Sequence, residues 1–184
     1  MKKITFFLTL LPLAHLCSNA TAADKYNYTP YVGIDYIYGQ ISAHGFSPKH
    51  NALGLHIGSD YSAYFGTELF FNQSDNDKNR VDAGKIKTSY RSYGLDLLAY
   101  LPLGCSKDFS LLATAGIGEY VYKQKFLGQK HHSEHGLGYR FGGGFKYALT
   151  PAWQTRLITR YVNFDGLHGY DHAVEYTLSL QYHF

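Results

Sequence analysis

Cysteine, methionine and tryptophan are nearly absent from this sequence, which has two, one and one of them in 184 residues, with five prolines. Cys17 lies in an N-terminal stretch of leader character, which leaves Cys105 alone and excludes an intramolecular disulfide. Charge of either sign is scarce. The formal net charge is +3, and two of those units are Lys2 and Lys3 of the leader; nothing in the remainder points to nucleic acid. No later stretch approaches 18 consecutive apolar residues, so a membrane helix is excluded. A phosphate-cradling loop of the Walker type is missing too. Gly142, Gly143 and Gly144 fall inside a strand pattern, where they relieve crowding.

Residues 1–22 read MKKITFFLTLLPLAHLCSNATA. A charged head, a short apolar middle and an A-x-A tail are the parts of a secretory signal peptide, with Ala23 the first mature residue. The rival is a lipoprotein signal ending at Cys17, but His15 and Leu16 are bulky where such sites take small residues. Residues 23–184 then form one domain.

Tyrosine (18), phenylalanine (12) and glycine (19) are abundant, and they are laid out with a period of two. The C-terminal stretch YTLSLQYHF shows it: Tyr176, Leu178, Leu180, Tyr182 and Phe184 alternate with Glu175, Thr177, Ser179, Gln181 and His183. Such a strand has two different solvents. The same alternation recurs at about 30–39, 51–58, 62–71, 88–101, 109–122, 137–147 and 152–163. The 152–163 stretch is the least clean, because Ile158 and Val162 share a face with Arg156 and Arg160. Three connections are short: GSDY (58–61), PLGCSKD (102–108) and ALTPA (148–152). Four are long and polar: about 40–50, 72–87, 123–136 and 164–172. Long and short alternate, beginning with long. Eight strands so connected predict an all-β fold, an eight-stranded antiparallel up-and-down transmembrane β-barrel. Its short turns are periplasmic and its long loops external.

A soluble eight-stranded barrel would also alternate, with its apolar face inward. The second face decides between them. It carries Asp35, Glu68, Asp96 and Glu175 against Arg140, Lys146, Arg156 and Arg160, beside glycines that leave space. Four acids and four bases predict an inward network of paired charges, which an outer soluble surface would not need. Tyr31, Tyr38, Tyr61, Tyr64, Tyr122, Tyr147, Trp153, Tyr161 and Tyr182 lie near strand ends, as interfacial aromatic girdles do.

The alternating strand ending in Phe184 resembles the assembly signal of bacterial outer-membrane barrels. YFGTELFF (64–71) and GYRFGGGFKYALTPAWQTRLITRYVNFDG (138–166) resemble segments of the opacity-protein or porin family of small barrels. The resemblance spans essentially the mature chain and implies a place in the bacterial outer membrane. Its expected partners are outer-membrane lipid and lipopolysaccharide, the barrel-insertion machinery, and a host surface molecule. It implies a monomer and no cofactor. Tyr176, Leu178, Leu180, Tyr182 and Phe184 would be the assembly signal. Activity is less specified, because that family holds adhesins, immune-evasion proteins and structural barrels.

No catalytic constellation emerges. Barrels that edit lipopolysaccharide use a serine with a nearby histidine on a late strand; here HHSEH (131–135) groups such residues on a loop, where consecutive positions do not align nucleophile and base. Seven of the ten histidines, His44, His50, His131, His132, His135, His168 and His172, fall in external loops or at their edges. Imidazole is a common zinc and copper ligand, which makes His131, His132 and His135 with Glu134, helped by His168 and His172, the candidate metal ligands. The plainer reading is that they are ordinary polar loop residues. His56 points inward as a hydrogen-bonded core residue, and loop two is a solvated hairpin of mixed charge. The expected function is a non-enzymatic surface scaffold presenting four external loops for adhesion, host interaction or envelope integrity. A narrow solute or ion channel is the alternative; against a wide lumen stand the balanced interior charges and an interior that eight strands leave just wide enough to fill with side chains.

Overall fold

The computed structural model describes residues 28–43, 49–74, 77–81, 84–104, 108–126, 132–167 and 170–184; at 43, 77–81, 84–88, 123–126 and 132 it describes the backbone. The leader, Cys105, His44, His131 and His168 lie outside the described residues. Nine strands follow one another: β1 (Thr29–Ala43), β2 (Lys49–Asp60), β3 (Phe65–Ser74), β4 (Asp77–Val81), β5 (Gly84–Leu103), β6 (Phe109–Phe126), β7 (His132–Ala148), β8 (Trp153–Asp165) and β9 (Tyr170–His183). Every pairing is antiparallel between neighbours in the chain, except that β1 also pairs with β9 and β3 also pairs with β5. Those two pairings close a ring of eight strands. The ninth, β4, forms a hairpin with the outer end of β5.

The alternation read in the sequence is the in-and-out alternation of this wall. Ile34, Leu53, Leu55, Ile57, Leu69, Phe141, Leu157 and Leu178 are exposed on the outside, as a lipid-facing band requires. Polar side chains are buried on the inside. Closing eight strands crowds the axis, and glycine supplies the room. Gly33 pairs with His56, Gly54 with Asp35, Gly116 with Asp96 and Gly142 with Arg160. A Cβ at Gly33 would overlap the His56 ring, and one at Gly116 would overlap the Asp96 carboxylate.

Several boundaries differ from the sequence reading. The first short turn lies at Tyr61–Tyr64, because β2 continues through Gly58 and Ser59 to Asp60. The long connections are shorter than their polarity suggested: β5, β6 and β7 run well past the apolar band. Tyr31 and Tyr122 are not girdle residues; both are buried inside, since they share parity with Asp35 and Tyr120. Ile158 and Val162 do not break the alternation, because the interior is layered and includes apolar levels.

Candidate functional site

Three layers fill the barrel. Toward the end that carries the short turns, Tyr31, Leu98, Tyr100, Leu112 and Ile158 pack together, and Lys146 Nζ sits 3.3 Å from Asp60 Oδ2 and 3.6 Å from the centre of the Tyr100 ring. The middle layer is ionic. Arg156 Nη2 lies 2.8 Å from Glu68 Oε2 and 3.1 Å from His56 Nε2, while His56 Nδ1 lies 3.0 Å from Asp35 Oδ2. One tautomer serves both histidine contacts, with Nδ1–H donating to Asp35 and Nε2 accepting from Arg156. Ser179 donates its hydroxyl to the other Asp35 oxygen. Asp96 receives Arg140 at 3.2 Å and Arg160 at 3.5 Å. Arg140 also stacks on Phe70, 3.7 Å from the ring centre, and Glu175 pairs in register with Arg160.

All eight charged residues expected inside are therefore turned inward. Seven are buried, and Lys146 is half-buried. Sequence reading missed Asp60 as the partner of Lys146, although it shares the inward parity of His56.

The outer layer is a plug of Ile37, Ile41, Tyr90, Tyr120, Tyr122, Val162, Phe164 and Leu167, all buried. Its rings pack closely: Tyr122 stacks on Tyr170 at 4.9 Å, and Tyr120 meets Phe164 edge to face at 5.1 Å. His50 belongs here rather than to a loop, buried with its ring 4.5 Å from Tyr90.

The HHSEH segment is not a loop beyond His131. β7 begins at His132, and alternation puts Ser133 and His135 on the outer face. His135 Nδ1 lies 3.1 Å from Glu119 Oε1, and Tyr93 donates to Glu119 Oε2 at 2.5 Å. His172 is a β9 residue stacked on Tyr161 at 5.1 Å. The two histidines of the proposed metal set whose side chains are described, His135 and His172, thus engage different neighbours, and among the described residues no three histidine, cysteine or acidic side chains gather as a metal site would need.

β4, β5 and β6 continue beyond the apolar band. In the β4–β5–β6 extension Lys78 pairs with Lys87, Lys87 with Lys125, and Arg80 with Lys85. Arg91 and Tyr93 of β5 are exposed on the outside. On the opposite face Tyr90, Tyr120 and Tyr122 are buried.

Residues 8–184 match the family described as outer membrane protein beta-barrel domain. The chain belongs to that family. Its place is the bacterial outer membrane, crossed by strands. The fold is similar to Neisserial surface protein A, with a TM-score of 0.72 at 13% identity over 86% of this chain and 99% of that one. It is also similar to Ail, the attachment invasion locus protein of Yersinia pestis, at TM-score 0.61, 17% identity and 85% and 98% coverage. A third likeness is the N-terminal β-barrel domain of Pseudomonas aeruginosa OprF, at TM-score 0.58, 14% identity and 86% and 100% coverage. No curated protein matches the sequence.

Proposed function

We propose that the protein is a non-enzymatic surface barrel, a rigid scaffold that presents its external connections to host molecules or neighbouring cells and stiffens the outer membrane. The filled interior carries this reading. Arg140, Arg156, Arg160, Tyr31, Tyr120, Ile158 and Gln181 are large side chains almost without exposure, distributed through all three layers, so the wall encloses packed residues rather than a water column. An aromatic plug over a paired ionic layer suits rigidity better than transport.

Interaction rather than catalysis also fits the company of the fold. One similar barrel is named an attachment and invasion protein, and one of its structures is a complex with the heparin analogue sucrose octasulfate. The test is a binding screen with cells that display the full barrel or versions with shortened external connections. Adhesion to host cells that falls when connections are shortened, while the barrel stays folded, is the expected result. Equal adhesion by cells without the barrel would refute it.

A further inference from the structure

We infer that His50 is an acid-sensing latch in the outer plug: its neutral ring holds the plug closed, and a proton on it loosens the outer end of the barrel while the ionic layer stays packed. The ring sits just above the hydrocarbon. On β2 the exposed apolar row begins at Leu53. His50 lies outward of the pair Asn51–Tyr38, where Tyr38 and Tyr176 bring their rings to 6.4 Å on the outside, as an interfacial girdle does. An imidazole is a costly choice for a plug of rings and aliphatic chains. His50 is buried, and neither ring nitrogen has a hydrogen-bond partner among the described residues, although burying a polar group unpaired is unfavourable. Yet the fold makes room for it: Gly39 is its ladder partner, and a Cβ there would overlap the ring at Nε2 and Cε1. The ring meets Tyr90 edge to face at 4.5 Å. Tyr90 in turn stacks on Tyr122 at 5.7 Å and on Tyr120 at 6.4 Å, and its backbone N–H donates to Ser74 Oγ at 2.7 Å. Displacing His50 therefore disturbs the ring on which the stack and the β3–β5 seam both rest.

Among the described residues no group is placed to stabilise a proton on this ring. Tyr90, Tyr120 and Tyr122 are phenols, neutral in this range. Glu134 on β7 is half-buried and pairs in register with Tyr122. Glu175 on β9 is separated from His50 by Gly39, which pairs with both, and has Arg160 as its other neighbour. Lys49, next to His50 on β2, is exposed and carries the same sign as a protonated imidazole. Burial alone pushes the His50 ring down, to about 4, from about 6.5 in water. A closed plug thus keeps the ring neutral at about pH 5, whereas an opened plug lets it take a proton; between about pH 7.5 and about pH 5 the ratio of open to closed should rise roughly 30-fold. The connection from β1 to β2 leaves the hairpin at the pair Gln40–Lys49, one residue beyond His50. Acidified surroundings would therefore change what the barrel presents there. This goes beyond the scaffold reading and does not depend on what the external connections bind.

The test is backbone hydrogen exchange, read by mass spectrometry on the full chain in phosphatidylcholine nanodiscs at about pH 7.5 and about pH 5 and corrected for the intrinsic pH dependence of exchange. On acidification, wild-type amides at the outer ends of β1, β2 and β5 should lose protection by roughly 30-fold, and those of the ionic layer should keep theirs. His50→Phe fills the site without a titrating group and should abolish the response; His50→Leu serves in its place if the larger ring prevents folding. A variant with His135→Asn and His172→Asn removes the outward-facing imidazoles near the same end and should respond like the wild type. A retained gel shift between unboiled and boiled samples certifies each fold. Equal protection of the wild type at both pH values would overturn the inference. So would an acid response that survives the loss of His50, or one that disappears with His135 and His172. Loss of protection through the ionic layer as well would also overturn it, because the whole barrel rather than its plug would then be yielding to acid.

Discussion

Arg156 on β8 and Glu68 on β3 meet at 2.8 Å, from strands four places apart in a ring of eight. The pair therefore ties opposite walls of the barrel together, and neither side chain is exposed. Breaking a buried pair leaves one uncompensated charge and costs about 3–5 kcal/mol. Arg156→Met alone should lower unfolding stability in detergent by that order, and Glu68→Gln somewhat less, since it keeps hydrogen-bonding capacity. Combining Glu68→Leu with Arg156→Met should cost less than the sum of the single changes. Urea titration of the folded barrel checks this, and single variants that unfold like wild type would contradict it.

The ring of pairings leaves no open edge in the barrel wall. A closed barrel whose backbone is internally paired resists detergent until heated. Membrane-extracted protein should migrate differently on a denaturing gel before and after boiling, and the same mobility in both samples would count against closure.

Phe184 is exposed beside Tyr182, their rings 5.3 Å apart, on the face that includes Tyr176, Leu178 and Leu180. Replacing Phe184 with Asp should leave export intact and slow membrane insertion, so that unassembled protein collects in the periplasm. Pulse-chase fractionation measures this; insertion at the wild-type rate would show that the terminal ring is not part of an assembly signal.

Much of the fold was legible because a membrane barrel writes its solvent into its sequence. Leu53, Leu55 and Ile57 alternate with Gly54, His56 and Gly58, and nothing but a two-sided strand explains that. The ionic interior was legible for the same reason: an arginine such as Arg156 between Thr155 and Leu157 has one face it can occupy. Aromatic residues gave no such constraint. Tyr31 and Tyr38 suit either lipid headgroups or the barrel interior, and strand parity alone puts the first inside. The outer extensions were illegible for another reason. Above the hydrocarbon both faces of a strand can be polar, so β4 and the start of β7 lose their period-two apolar signal and read as loops. The pairing of Lys78 with Lys87 and of Lys87 with Lys125 is a fact of register.

The plug makes a further prediction about stability. Tyr122 stacks on both Tyr90 and Tyr170, at 5.7 and 4.9 Å, so Tyr122→Ala removes the ring shared by two stacks. Loss of a buried aromatic side chain costs about 3–5 kcal/mol, seen as earlier thermal unfolding, and an unchanged melting temperature would show that the plug is not packed as described.

Single-channel recording of the full chain in planar bilayers tests the scaffold reading most directly. With the ionic layer paired and the aromatic layer packed, the wild-type barrel should insert without discrete current steps across the physiological voltage range. Reproducible, barrel-dependent conductance steps in the wild type would contradict a filled interior and return the protein to the class of narrow channels.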